Sequence, residues 1–273
     1  MDSFLFFGRR FQFSPSEVIS MRQFLGVLVA AIFLCIASGP ARAGQDDANA
    51  ILDKAIKAMG GEEKLGKIVA FTWTTNGSMK VNGRKSDMQV VMIFNGLNQA
   101  RRDFHVRLDF GGRDRVRRTV LDGDEGWHLV GGKYQEMNGD AVANEKRNIY
   151  LQVIPTLPNL LKTNGFKYVA AGEEEVRGKP ASILKVTGPD GKDFRLYFDK
   201  ESFLPVREVA RSVGANGDEQ IEDVTFADYK DLSGIKKATS IEIRIDPQNF
   251  GFMEITDFKV LDRVDPATFA GPK

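Results

Sequence analysis

Cysteine is nearly absent. The one present, Cys35, lies inside an apolar run, and no other thiol occurs in the 273 residues. A chain cleaved after that run folds without disulfides and depends on a real core. It has neither a catalytic thiol nor a thiolate metal site. Histidine is scarce too, with only His105 and His128. No HExxH helix, phosphate-binding GxxxxGK[ST] loop or GxSxG nucleophile elbow occurs, which excludes the hydrolase and nucleotide-binding patterns built on them. With no nucleophile set beside a base, the chain reads as a non-enzyme without a cofactor. A surplus of charge is also missing. Of the 38 Lys+Arg and 37 Asp+Glu, four basic residues (Arg9, Arg10, Arg22, Arg42) and two acidic ones (Asp2, Glu17) precede residue 44. The remainder is close to neutral, which gives no reason to expect nucleic acid as a partner.

Long apolar runs are limited to one. Phe24 to Ala37 follows the basic Met21-Arg22 and precedes the small-x-small triplet Ala41-Arg42-Ala43. This is the pattern of a secretory signal peptide cleaved after Ala43, so the mature chain is expected to be exported. An uncleaved membrane anchor is the competing reading. Residues 1–20 precede a second Met and read as a misassigned start or an overlong n-region. Residues 44–273 carry no repeat or linker and read as one domain.

What is present is alternation. Phe71, Trp73, Met79 and Val81 share one parity, with Thr72, Thr74, Asn76, Ser78 and Lys80 on the other. Met88, Val90, Met92 and Phe94 follow, then Phe104, Val106, Leu108 and Phe110 opposite Asp103, His105, Arg107 and Asp109. Leu184-Val186, Phe194-Leu196-Phe198 and Ile241-Ile243-Ile245 continue the pattern. Period two with one polar face predicts antiparallel strands, about eleven of them. Turn pairs such as Asn82-Gly83, Gly131-Gly132 and Asp190-Gly191 join them. A helix capped by Asp46 or Asp47 is expected to run to about Met59, where Gly60-Gly61 stops it. A second helical stretch, Asn144 to Lys162, places Ile149, Val153, Leu157 and Leu161 at near-helical spacing, and Pro155 and Pro158 must break it.

Eleven strands at ~4.8 Å span roughly 50 Å, which short helices ~10 Å wide cannot cover if the sheet stays flat. The predicted fold is therefore mainly β (α+β): one curled antiparallel sheet forming a half-barrel plugged by short helices. Its interior is either a ligand cavity or filled by its own side chains. The candidate lining is Phe71, Trp73, Met79, Met88, Val90, Met92, Phe94, Arg102, Phe104, Val106 and Leu108, with Ile149, Val153, Leu157 and Leu161 from the plug.

The stretch LDGDEGWHLVGG, residues 121–132, tests for a metal. Asp122 and Asp124 open like a calcium loop, but position five is Gly126 and position twelve is Lys133, so the ligand set fails. The segment reads as a hairpin turn with Trp127 anchoring the returning strand. His105 and His128 read as solvated or core-edge residues. Arg113, Arg115, Arg117 and Arg118 form a basic patch, a solvated strand edge or a contact for lipid head groups or an acidic partner.

DGDEGW followed by a short strand and the proline-broken helix resembles the corresponding region of the LolA-like periplasmic lipoprotein carriers. VRGKPASILKV, then FRLYFDKESFLPVRE, YKDLSGIKKATSIEIR and the closing VDPATFA resemble that superfamily's later strands in the same order, so that the likeness spans most of residues 46–270. The AMGGEEKL segment departs from the well-known carrier. The resemblance implies an eleven-stranded half-barrel that binds the acyl chains of a lipid or lipoprotein. An envelope membrane protein would act as donor or acceptor. It also implies an alternative, a sensor of envelope stress that recognises lipoproteins without shuttling them. Some carriers have a key arginine near the first strands, where Arg101 or Arg102 falls; Arg102 shares parity with Phe104.

Overall fold

A computed structural model describes residues 44–81, 84–107, 115–214, 217–245 and 248–271. The expected signal peptide, residues 1–43, lies outside the described residues, as do Leu108, Phe110, Arg113 and the Asn82-Gly83 turn.

Helix α1, Gln45–Met59, begins two or three residues earlier than its acidic residues suggested. Gly44 is the N-cap, and Asp47 reaches back to accept the Gly44 N–H at 3.3 Å, so the acid sits at the third helical position rather than at the cap. Ala48, Leu52, Ala55, Ile56 and Met59 form its buried stripe, and Gly60 at φ +137° ends it. A short helix α2, Glu62–Gly66, buries Leu65.

Strands β1 (Ala70–Val81), β2 (Arg84–Asn95), β3 (Gln99–Arg107), β4 (Arg115–Asp122), β5 (Glu125–Val130) and β6 (Lys133–Glu136) form one antiparallel meander. Helix α3, Gly139–Val153, follows, then a 3-10 turn, Pro158–Lys162. A second meander runs through β7 (Lys167–Val176), β8 (Lys179–Thr187), β9 (Asp193–Asp199), β10 (Pro205–Val213), β11 (Glu219–Leu232), β12 (Ile235–Ile245) and β13 (Gln248–Leu261). β1 pairs with β13, so the two meanders join into one open sheet whose edges are β6 and β7. No helix among the described residues is long and apolar enough to cross a membrane.

The described sheet has thirteen strands, not eleven. The edges account for the miscount. All four residues of β6 are exposed, and β7 carries Glu173, Glu174 and Glu175, so neither shows an apolar alternation. Charged, short or polar edge strands resist pairing with another sheet.

The curl follows from two arginines. Glu145 of α3 binds Arg102 on β3, and Arg147, two residues on, donates to the Arg211 carbonyl on β10. Six strand spacings separate β3 from β10 in the sheet order, roughly 29 Å if the sheet were flat. One helix turn cannot bridge that gap. The sheet bends into a half-barrel, with α3 lying across its concave side. At the β1–β13 seam the backbones come unusually close: a Cβ on Gly77 would meet the Phe252 carbonyl oxygen at 2.1 Å, so only glycine fits there.

Candidate functional site

Cross-strand register assembles the inner face. Phe71 lies opposite Phe94, Trp73 opposite Met92, Thr75 opposite Val90 and Gly77 opposite Met88. One strand further, Val106, Phe104 and Arg102 lie opposite Met88, Val90 and Met92. Phe71, Trp73, Phe94 and Phe258 form an aromatic floor with ring centroids 5.0 to 6.0 Å apart.

The expected plug residues pack onto this floor. Asn138 caps α3 by accepting the Ala141 N–H at 2.9 Å, so the helix starts ahead of Asn144. It stops at Val153, before Pro155, and the chain resumes as a 3-10 turn at Pro158. Ile149, Val153, Leu157 and Leu161 are all buried, and they join Phe71, Trp73, Met88, Val90, Met92, Phe94 and Val106 in one core cluster. Met79 and Phe104 pack against it half-buried, as do Ile241 and Met253. The inner face therefore grades from fully buried at Phe71 and Phe94 to half-buried toward Met79 and Met253. A cleft of about 720 Å³ also opens beside α3, lined in part by Arg147, Phe194, Ala210, Arg211 and Ser212.

Polar groups enter this interior at chosen points. Arg102 donates to both oxygens of Glu145, at 3.1 and 2.9 Å. Arg147, 3% exposed, donates to the Asp190 carboxylate at 3.0 Å and to the carbonyls of Arg211 and Asp193. His128 Nδ1 lies 3.2 Å from the Thr119 hydroxyl; burial holds its pKa below the ordinary value, and nearby Arg117 lowers it further. It is a core-edge residue, as its sequence context suggested.

Besides Glu145 and Arg147, three further ionisable groups in this interior were not singled out from the sequence. Glu208 is fully buried on β10, and one of its oxygens, Oε2, has no hydrogen-bond partner among the described residues. Burial, aided by the neighbouring Glu222, pushes its carboxyl well above the usual range, and burial also raises Glu222 itself. Lys237 is 5% exposed. Its ammonium nitrogen lies 2.6 Å from the Thr156 hydroxyl and 4.3 Å from the centre of the Trp73 ring. Burial lowers this amine to about 7. Lys237 was legible in principle, since it shares parity with Ile235, Ile241 and Ile243. Glu208 shares a face with Ala210 and Ser212, which carry no apolar pattern to flag it.

The acidic stretch is a turn, with Gly123 at φ +63°. Its acids also fasten neighbours: Asp122 accepts from Gln99 at 2.7 Å, and Asp124 pairs with Lys146 of α3. The basic patch is partly neutralised, because Arg118 donates to Asp103 at 2.6 Å.

No family model and no curated protein matches the sequence. Solved structures do match. A LolA superfamily protein from Nitrosomonas europaea aligns with a TM-score of 0.54 at 12% identity, covering 82% of this chain and 97% of its own. A DUF1329 family protein from Desulfovibrio piger gives 0.53 at 13%, covering 81% and 96%. A domain assigned to outer membrane lipoprotein sorting in Vibrio parahaemolyticus gives 0.50 at 10%, covering 80% and 97%. At such identities the likeness is one of fold: this chain's open antiparallel sheet, curled around a broken helical plug, is a LolA-like fold.

Proposed function

We propose that this chain is a periplasmic carrier that takes acyl chains of a lipid or lipidated protein onto its concave face, without a covalent step. One observation carries the reading. The inner face is apolar from Phe94 to Met88 on β2 and at Trp73 and Met79 on β1, where the buried Thr75 hydroxyl between them is satisfied by the Val90 carbonyl, and it is covered by a segment that prolines prevent from docking as one straight helix. Resemblance to a fold that includes a lipoprotein-sorting domain supports it. In this reading the leader ending at Ala43 directs export, and a membrane protein of the envelope supplies or receives the ligand.

The test is saturable uptake of a fluorescent acyl probe by the purified, delipidated protein, followed by transfer to acceptor vesicles. Uptake with transfer is the expected result. Uptake without transfer identifies a sensor of acylated ligands rather than a carrier. No saturable uptake by a folded protein shows that the interior serves only as its own core.

A further inference from the structure

We propose that Lys237 and Thr156 form a head-group site, and that the ligand accepted by this interior is an acyl chain ending in a free carboxylate. This inference rests on the acyl-binding reading above and deepens it.

Lys237 lies on β12 with its side chain among apolar and aromatic groups. Among the described residues no carboxylate ion-pairs with it; its polar partner is the Thr156 hydroxyl at 2.6 Å, and the Trp73 ring lies beneath it at 4.3 Å. The guanidinium groups of Arg102 and Arg147, which reach the same interior, are both engaged by carboxylates. Lys237 is thus a buried amine left without a counter-charge. Such a group is costly to ionise, and burial accordingly holds it close to neutrality. An anion brought beside it removes that penalty, whereas an uncharged ester or amide head does not.

The donor count favours a carboxylate. One ammonium cancels one negative charge. The Thr156 hydroxyl, now accepting from Lys237, can turn to donate to the second carboxylate oxygen. A phosphate dianion would leave an excess negative charge buried with no further cation at hand. The location also fits. Thr156 lies in the break between α3 and the 3-10 turn, next to Pro155, so the hydroxyl belongs to the part of the plug that must shift to admit a ligand. From Trp73 the inner parity of β1 leads six residues, past Thr75 and Gly77, to the half-buried Met79, roughly 20 Å of inner face that the tail would follow once the plug shifts.

The experiment is displacement of a neutral fluorescent acyl probe from the delipidated protein at pH 7.5 by dodecanoate, methyl dodecanoate and dodecyl phosphate. Dodecanoate should bind at least tenfold more tightly than its methyl ester. Lys237→Met should bring dodecanoate and its methyl ester to equal affinity, while Lys237→Arg keeps the preference for the acid. Equal binding of acid and ester by the wild type overturns the head-group site yet leaves acyl binding standing, and this comparison needs no variant to fold. Tighter binding of dodecyl phosphate overturns the choice of a carboxylate. If no ligand binds a folded protein, the acyl reading itself fails and the site falls with it.

Discussion

One guanidinium nitrogen of Arg102 donates to both carboxylate oxygens of Glu145 and so ties β3 to α3 across the concave face. Glu145 is only 8% exposed. Arg102→Met should therefore strand a buried carboxylate and cost about 2 kcal/mol in urea unfolding. The loss should be local as well as global, with faster amide exchange along α3. Unchanged exchange there would show that packing, not the ion pair, holds the helix down.

Stability should depend on pH through Lys237. Its folded value, about 7, is depressed from the ordinary 10.5. Between those values the unfolded chain holds a proton that the folded chain does not, so stability rises as pH climbs from about 7 toward 10.5. Below 7 the buried ammonium imposes its full penalty, on the order of a few kcal/mol. Lys237→Met should exceed the wild type in stability at pH 6.5, and the gap should shrink by pH 9.5. A gap that is flat with pH would mean that the amine is solvated.

A charge within the inner face should oppose an acyl tail. Burying about twelve methylenes contributes on the order of 10 kcal/mol before ordering costs reduce it. Val90, 1% exposed, lies opposite Phe104. Val90→Glu should abolish probe uptake in protein whose circular dichroism remains native. Gln89→Glu, on the outer parity where Gln89 donates to Asn76 at 3.0 Å, should change stability by no more than about 0.5 kcal/mol and leave uptake intact.

The Asp122–Gly126 turn should be indifferent to metals. A chelator is expected to leave the melting temperature unchanged, and so is the double change Asp122→Asn, Asp124→Asn in its effect on ligand binding. Gly123→Val should lower stability more than either acid change, because Gly123 sits at φ +63°. A chelator-sensitive melting curve would contradict the turn reading.

The sequence was most legible where one face is buried and the other wet. β1 and β2 announced themselves by parity, and the pairings of Phe71 with Phe94 and of Val90 with Phe104 put their alternation on one face. The break in the plug was legible because proline chemistry is local. The edges were not, because Lys133–Glu136 has no buried side to impose a pattern. The N-cap of α1 was misplaced by its acids, since Asp47 acts from inside the first turn. Arg147 and Glu208 were out of reach for a different reason. Their environment is made by elements 43 to 64 residues apart or by a neighbouring strand, and no local spacing encodes it.

The pairing of β1 with β13 sets an order of events for a chain being made. Ala70 meets Leu261, and Met79 meets Gly251. Until the last strand emerges, β1 has a neighbour on one side only, and its other row of amides and carbonyls stands open. The first meander must wait, with Phe71 and Trp73 uncovered, while the second is completed. Contacts this distant along the chain slow folding and prolong the exposure of sticky edges. A protein of this design would gain from a holding chaperone during biogenesis, and truncation before Gln248 should yield aggregates rather than a smaller half-barrel.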